Sequence, residues 1–150
     1  DRFMVRIQIG YPSPEEESDI LLRFKRDTVL ASLDAVTTEE TLREMQNAVT
    51  EVMVDDQVRM YVVAIAQATR QHDGLSLGVS PRAALALYKT SQARAAMDGR
   101  DFVTPDDVKA MAETALAHRM ILTSNSRLRG RSTTQIVNDV LESIPAPIER

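Results

Sequence analysis

Gly78-Val79-Ser80-Pro81-Arg82-Ala83 marks the start of a helix and places an arginine on it. Ser80 offers a side-chain oxygen suited to the N-cap, and Pro81, with φ already fixed, suits the first helical position. Arg82 then falls in the first turn, against the positive end of the helix dipole, at a cost of about 0.3–1 kcal/mol when exposed. Other helix starts in the chain do the reverse. Ser13-Pro14-Glu15-Glu16 and Thr37-Thr38-Glu39-Glu40 read as capping boxes with acids in the first turn, and Thr104-Pro105-Asp106-Asp107 follows its cap with two acids. An arginine set against this trend suits an anion, because phosphate matches both a helix N-terminus and a guanidinium fork. Taken alone, Arg82 also fits a side chain whose stem covers apolar surface while its head is solvated.

Working outward from Ser80, the chain reads as helix after helix. Ile20, Leu21 and Phe24 give a short apolar face over 14–26, and Leu42, Met45, Val49 and Val52 follow helical spacing over 38–53. The cleanest stripe is Val58, Tyr61, Val62, Ile65 and Thr69, with Asp55 or Asp56 as its cap. The helix over 81–98 is rich in alanine, which lets neighbouring helices approach closely, and Gly99 suits the position that ends it. Val108, Met111, Ala112 and Ala115 form one face over 105–118. Ser132-Thr133-Thr134-Gln135 is a capping box before Ile136, Val137, Val140, Leu141 and Ile144, and Pro145 and Pro147 stop that helix. Thr123 to Arg131 reads as the loosest segment.

The first residues differ. Phe3, Val5, Ile7 and Ile9 alternate with Met4, Arg6 and Gln8, which predicts a half-buried strand ended by Gly10, Pro12 and Pro14. No second strand is evident. A lone strand leaves its own backbone unsatisfied, so its partners are expected upstream of Asp1, and the chain, which begins without Met, reads as an excised piece.

A chain of 150 residues suits one domain, or a small domain with a fragment of another. It is 43% hydrophobic and 27% charged with five glycines and six prolines, which excludes a disordered polymer. Aromatic residues make up 4%, a composition for packed helices rather than a β-sandwich. The absence of cysteine removes disulfides and thiolate metal sites and fits a reducing, cytoplasmic setting. A net charge of −4 gives no global field toward nucleic acid, and no apolar run approaches a membrane span. His72 and His118 lack metal-ligand spacing and suit helix ends. Asp55-Asp56, Asp106-Asp107 and Glu15-Glu16-Glu17 are explained by helix starts, and no Gly-x-x-x-x-Gly-Lys-Ser/Thr loop is present.

Together, Gly78–Ala83 and Gly99-Arg100-Asp101-Phe102-Val103-Thr104-Pro105-Asp106-Asp107-Val108 resemble the helical lid domain of AAA+ ATPases of the MoxR family. Asp1-Arg2-Phe3 with the strand after it, then Gly10-Tyr11-Pro12 and a Glu-rich helix start, is similar to the end of that family's nucleotide-binding core. Ile144-Pro145-Ala146-Pro147 resembles the family's C-terminal ending. The resemblance implies a mainly α fold: a helical lid bundle over 31–150, preceded at 1–30 by the end of a truncated P-loop α/β core with one orphan strand.

It further implies that Arg82 is the sensor-2 arginine contacting nucleotide phosphates, in its own subunit or a neighbour's, and that Arg2 is the arginine finger. A guanidinium in that role stabilises charge spread over the transferred phosphoryl oxygens. ATP and Mg2+ are expected in the intact protein and none on this piece, because Walker A, Walker B and sensor 1 belong upstream of Asp1; the piece alone is expected to be inactive. The implied assembly is a homo-oligomeric ring, with six subunits the expected number. The implied work is chaperone-like maturation or metal-cofactor insertion of client proteins with von Willebrand factor A-domain partners. Two other classes remain open at this point: a helical protein-interaction module without a nucleotide role, and, more weakly, a nucleic-acid binder using Arg119, Arg127, Arg129 and Arg131. Residues 38–118 are expected to fold without the core, and the strand at 3–9 to fray, pair with another copy or pack irregularly.

Overall fold

The apolar stripes become helices in the computed structural model, which describes residues 3–24 and 33–147. In chain order these are α1 (Pro14–Phe24), α2 (Glu39–Glu51), α3 (Asp56–Gln71), β1 (Leu75–Leu77), α4 (Pro81–Met97), α5 (Pro105–Leu116), a 3-10 turn (Ala117–Arg119), β2 (Ile121–Leu122), α6 (Ser124–Leu128) and α7 (Thr133–Ser143). They fall into two units, one of Ile7–Met45 and one of the described residues up to Arg6 together with those from Gln46 onward. The domain boundary expected between residues 30 and 31 lies outside the described residues.

The larger unit holds the core. Val58, Tyr61, Val62, Ile65 and Thr69 of α3 are all buried, as their spacing predicts. They meet Leu87 of α4, Val108, Ala112 and Leu116 of α5 and Ile136, Val137 and Val140 of α7. Helices α4 and α5 make the most extensive pairing. On α4 the buried face is Ala83, Ala86, Leu87, Thr90, Ser91 and Ala95, so small side chains let the axes approach closely. Thr90 and Ser91 satisfy their buried hydroxyls on carbonyls one turn back within α4.

The loop joining α4 to α5 is stitched by charge. Gly99, at φ +74°, closes α4 in the left-handed conformation that glycine takes freely. Arg100 then donates to both carboxylate oxygens of Asp107, at 2.6 and 2.7 Å, and to the Phe102 carbonyl at 3.2 Å. Asp107 is 4% exposed and also accepts from the Thr104 backbone and hydroxyl, each at 2.8 Å, completing a capping box on α5. This loop pairs in turn with the α2–α3 connection: Met53 donates to the Asp101 carbonyl at 2.8 Å and Val103 to that of Met53 at 2.9 Å. Buried Gln92 adds a donor at 2.8 Å to the Val52 carbonyl, capping the end of α2 from α4.

Several expectations need correction. Residues 3–9 form no strand; among the described residues no strand lies beside them. Alternation supplies two faces but no hydrogen-bond partner. The segment packs irregularly, one of the three outcomes expected of it, with the Arg6 amide on the Thr114 carbonyl of α5 at 2.9 Å, and Ile9 is 93% exposed. A strand pair does occur elsewhere: β1 runs antiparallel to β2, with Leu75 opposite Leu122. At three and two residues, these strands are too short for alternation to register. The segment from Thr123, read as loose, contains α6 capped by the Thr123 hydroxyl. The second start is capped by Thr38 with Thr41 as its partner rather than by a Thr37–Glu40 box. In the smaller unit the Ser13–Glu16 capping box forms as predicted. The apolar face of α1 is exposed, however, with Leu21 at 70% and Phe24 at 67%.

The clasp carries a pH dependence. Burial alone would raise the Asp107 carboxyl, but its bonds from Arg100 and Thr104 outweigh that and hold it below the ordinary carboxylate value. A depressed carboxyl stabilises the fold above its unfolded value, near pH 4, and that contribution is lost as pH falls through the lower folded value. Thermal melts of the wild type and Asp107→Asn should therefore differ by several degrees at pH 5–7, with the gap shrinking below about pH 4. A gap independent of pH would show that the charge of Asp107 is not what the clasp uses.

Candidate functional site

Arg82 is delivered by a loop with little freedom. A Cβ on Gly78 would stand 2.6 Å from the Thr69 carbonyl oxygen and the Arg70 Cα, so only glycine lets the loop lie against α3. Val79 follows, 1% exposed. Its amide donates to the Thr69 hydroxyl at 3.1 Å, and its carbonyl accepts from Arg70 Nε at 2.8 Å. Ser80 caps α4, accepting from the Ala83 amide at 3.3 Å, and Pro81 occupies the first turn as predicted. Arg82 emerges exposed from this fixed start, and no carboxylate among the described residues is bridged to it.

One face of α4 extends from that arginine. Arg82, Leu85, Ala86 and Lys89 lie at i, i+3, i+4 and i+7 and so share a side of the helix. With Arg119 and Met4 they line an open cleft of about 180 Å³. Its charged residues are Arg82, Lys89 and Arg119, all cationic. Arg119 is half-buried; desolvation first, and the neighbouring charge of Arg82 second, push its pKa below the usual guanidinium value. Like charges gathered with no acid lining the cleft among the described residues form a site that an anion would relieve.

The remaining sequence candidates are placed as follows. Arg2 lies outside the described residues. His72 ends α3 and its ring accepts from the Gly74 amide at 3.0 Å, while His118 sits in the 3-10 turn after α5, so both are helix-end histidines as read. Asp55 caps α3, and Asp106 pairs with Lys109 at 3.1 Å. The arginine series divides: Arg131 pairs with Asp139, Arg127 and Arg129 belong to the end of α6, and Arg119 faces the cleft. No group of three His, Asp or Glu side chains suited to a metal converges among the described residues, and no described helix is long and apolar enough to cross a membrane. Sequence reasoning missed Lys89 and Arg119 as companions of Arg82. The seven-residue spacing of Lys89 could have revealed it; Arg119 had no local signal.

Residues 67–140, a span holding both Arg82 and Arg119, match the AAA lid domain. Over its whole length the chain is 37% identical to protein YeaC of Bacillus subtilis strain 168, spanning 47% of it. It is 32% identical, over 98% of its length, to Chaperone MoxR1 of Mycobacterium tuberculosis, spanning 41% of that protein. The chain belongs to the MoxR family of AAA+ proteins. A candidate ATPase from Cytophaga hutchinsonii has the same fold, with a TM-score of 0.88 at 26% identity; the match covers 98% of this chain and 47% of that one. The MoxR-family chain thus spans less than half the length of these relatives. The paired elements 78–83 and 99–108 are, in the folded MoxR lid, the two devices that fix the ends of α4.

Gly78→Ala tests the first of these. Overpacking against backbone should cost about 1–3 kcal/mol and lower the melting temperature. In calorimetry or denaturant titration, an unchanged midpoint would mean the loop can lift from α3 without penalty.

Proposed function

We propose that this chain is the lid portion of an ATP-hydrolysing MoxR-type subunit and that Arg82 contacts the nucleotide phosphates. The observation that carries the reading is the exposed guanidinium at a rigidly capped helix start, facing a cleft whose charged residues are all cationic. The donors present fit a polyphosphate: Arg82 offers a planar fork, Lys89 a mobile point charge, and neither is in an ion pair among the described residues. Magnesium and the attacking water belong, in this reading, to residues of the nucleotide-binding core of the intact protein, and the lid alone is inactive. Arg2 is the proposed arginine finger, directed at the γ-phosphate across a subunit interface.

In the assembled protein, ATP would draw the lid toward the core through Arg82, and hydrolysis would release it. A homo-oligomeric ring of six, cytoplasmic, acting as a chaperone on client proteins with von Willebrand factor A-domain partners, completes the proposal. The name Chaperone MoxR1 carried by the Mycobacterium tuberculosis relative supports the chaperone part.

The test uses the full-length protein. Arg82→Ala should lower ATP turnover by about 10–100-fold, the worth of a lost charge-assisted hydrogen bond. Arg2→Ala should lower it by about a thousandfold or more if Arg2 is the finger. Turnover within twofold of wild type in Arg82→Ala would overturn the sensor-2 assignment and favour a helical interaction module.

A further inference from the structure

We infer that Arg119 is a positioning residue, a guanidinium clamp that ties the segment Phe3–Arg6 to the first turn of α4 and so holds the two walls of the basic cleft as one body. Two distant stretches of chain converge on it. Its Nη2 donates to the carbonyl of Phe3, 116 residues away, and lies 3.4 Å from that of Met4. Its Nη1 donates to the carbonyl of Arg82 at 3.4 Å, 37 residues away. His118 Nε2 lies 3.4 Å from the same Phe3 carbonyl, and the Arg6 amide bonds to the Thr114 carbonyl at 2.9 Å. The 3-10 turn that follows α5 therefore carries an anchor for chain that is otherwise exposed and unpaired into a strand.

The choice of arginine is what gives this arrangement meaning. A guanidinium presents five donors in a rigid plane and can serve two carbonyls on one side and a third on the other. An ammonium of the same charge is a point with rotating donors and cannot span both walls. The site opposes a cation, since it is half-buried and faces the charge of Arg82. Among the described residues, the backbone carbonyls of Phe3 and Arg82 accept from the guanidinium kept there. Met4, brought in by the clamp, lines the cleft beside Leu85 and Ala86. Phe3 is also the residue after Arg2 in sequence, so the clamp grips the chain one peptide from the proposed finger and one carbonyl from the proposed sensor.

The consequence for turnover rests on the ATPase reading; the clamp itself does not, and two measurements keep them apart. Amide exchange of the 150-residue chain should show Arg6 released by about tenfold or more in both Arg119→Ala and Arg119→Lys, with the core amides of Leu87 and Ala112 as protected as in wild type. Should Arg119→Ala lose core protection, Arg119→Lys carries the comparison. In the full-length protein both variants should lower kcat by about tenfold while Arg119→Lys keeps KM for ATP within about twofold, because charge is retained and only the bridge is lost. Unchanged Arg6 protection in both variants would overturn the clamp. Wild-type kcat in Arg119→Lys would overturn its role in positioning and leave Arg119 as a charge alone. If the full-length wild type hydrolyses no ATP, the functional reading falls and the exchange result still decides the clamp.

Discussion

A carboxylate buried at the start of one helix governs the arrangement of the others. Asp107 closes the capping box of α5, and through Arg100 it pulls the end of α4 and the loop after it into register. That loop is the edge on which the α2–α3 connection pairs, through Met53. A buried ion pair gives small net stability against an apolar replacement, but leaving one partner unmatched is costly, so the geometry is specified more strongly than it is stabilised. The fit meets that demand: Asp107 accepts four hydrogen bonds from Arg100 and Thr104, three on Oδ2 and one on Oδ1.

Helix α4 is therefore held at both ends by different means. At its C-terminus the means is charge; at its N-terminus it is the absence of a side chain at Gly78, which lets the loop bond to Thr69 and Arg70. Between these ends the helix is lined with alanine, serine and threonine and packs close to α5. A helix fixed this way presents Arg82 and Lys89 with little reorganisation, which is the condition for preorganised electrostatics to be useful in phosphoryl chemistry. In the MoxR-family lid, Arg82 and Lys89 stand exposed on a helix fixed at both ends.

Legibility followed range. Ser80, Thr104 and Ser132 were readable as caps because a cap involves residues within three positions of one another. The α3 stripe was readable because five residues repeat at the helical period, and all five are buried. Gly99 was readable because ending a helix in the left-handed region is a property of one residue. The strand expected at 3–9 misled because alternation describes side chains while a strand is made by its neighbour. Helix α6, with five residues, and the pairing of β1 with β2 gave too little pattern to see. Gly78 carries no local signal of its reason, a backbone 2.6 Å from any added Cβ.

By itself the sequence determined the longer helices, most of their caps, and that α4 begins with an arginine against its dipole. Those are local matters, settled by hydrogen bonds and periodicities that reach no more than a few residues. Only the tertiary structure decided what company Arg82 keeps. Met4 and Arg119 reach it from either side in sequence, Arg119 bridging separations of 37 and 116 residues, and such groups meet through the packing of α4 on α5 and the bonds of the turn that follows α5. The physical reason is that a charge on a helix reports its own turn, whereas a site needs several turns to converge, and convergence is a property of the core.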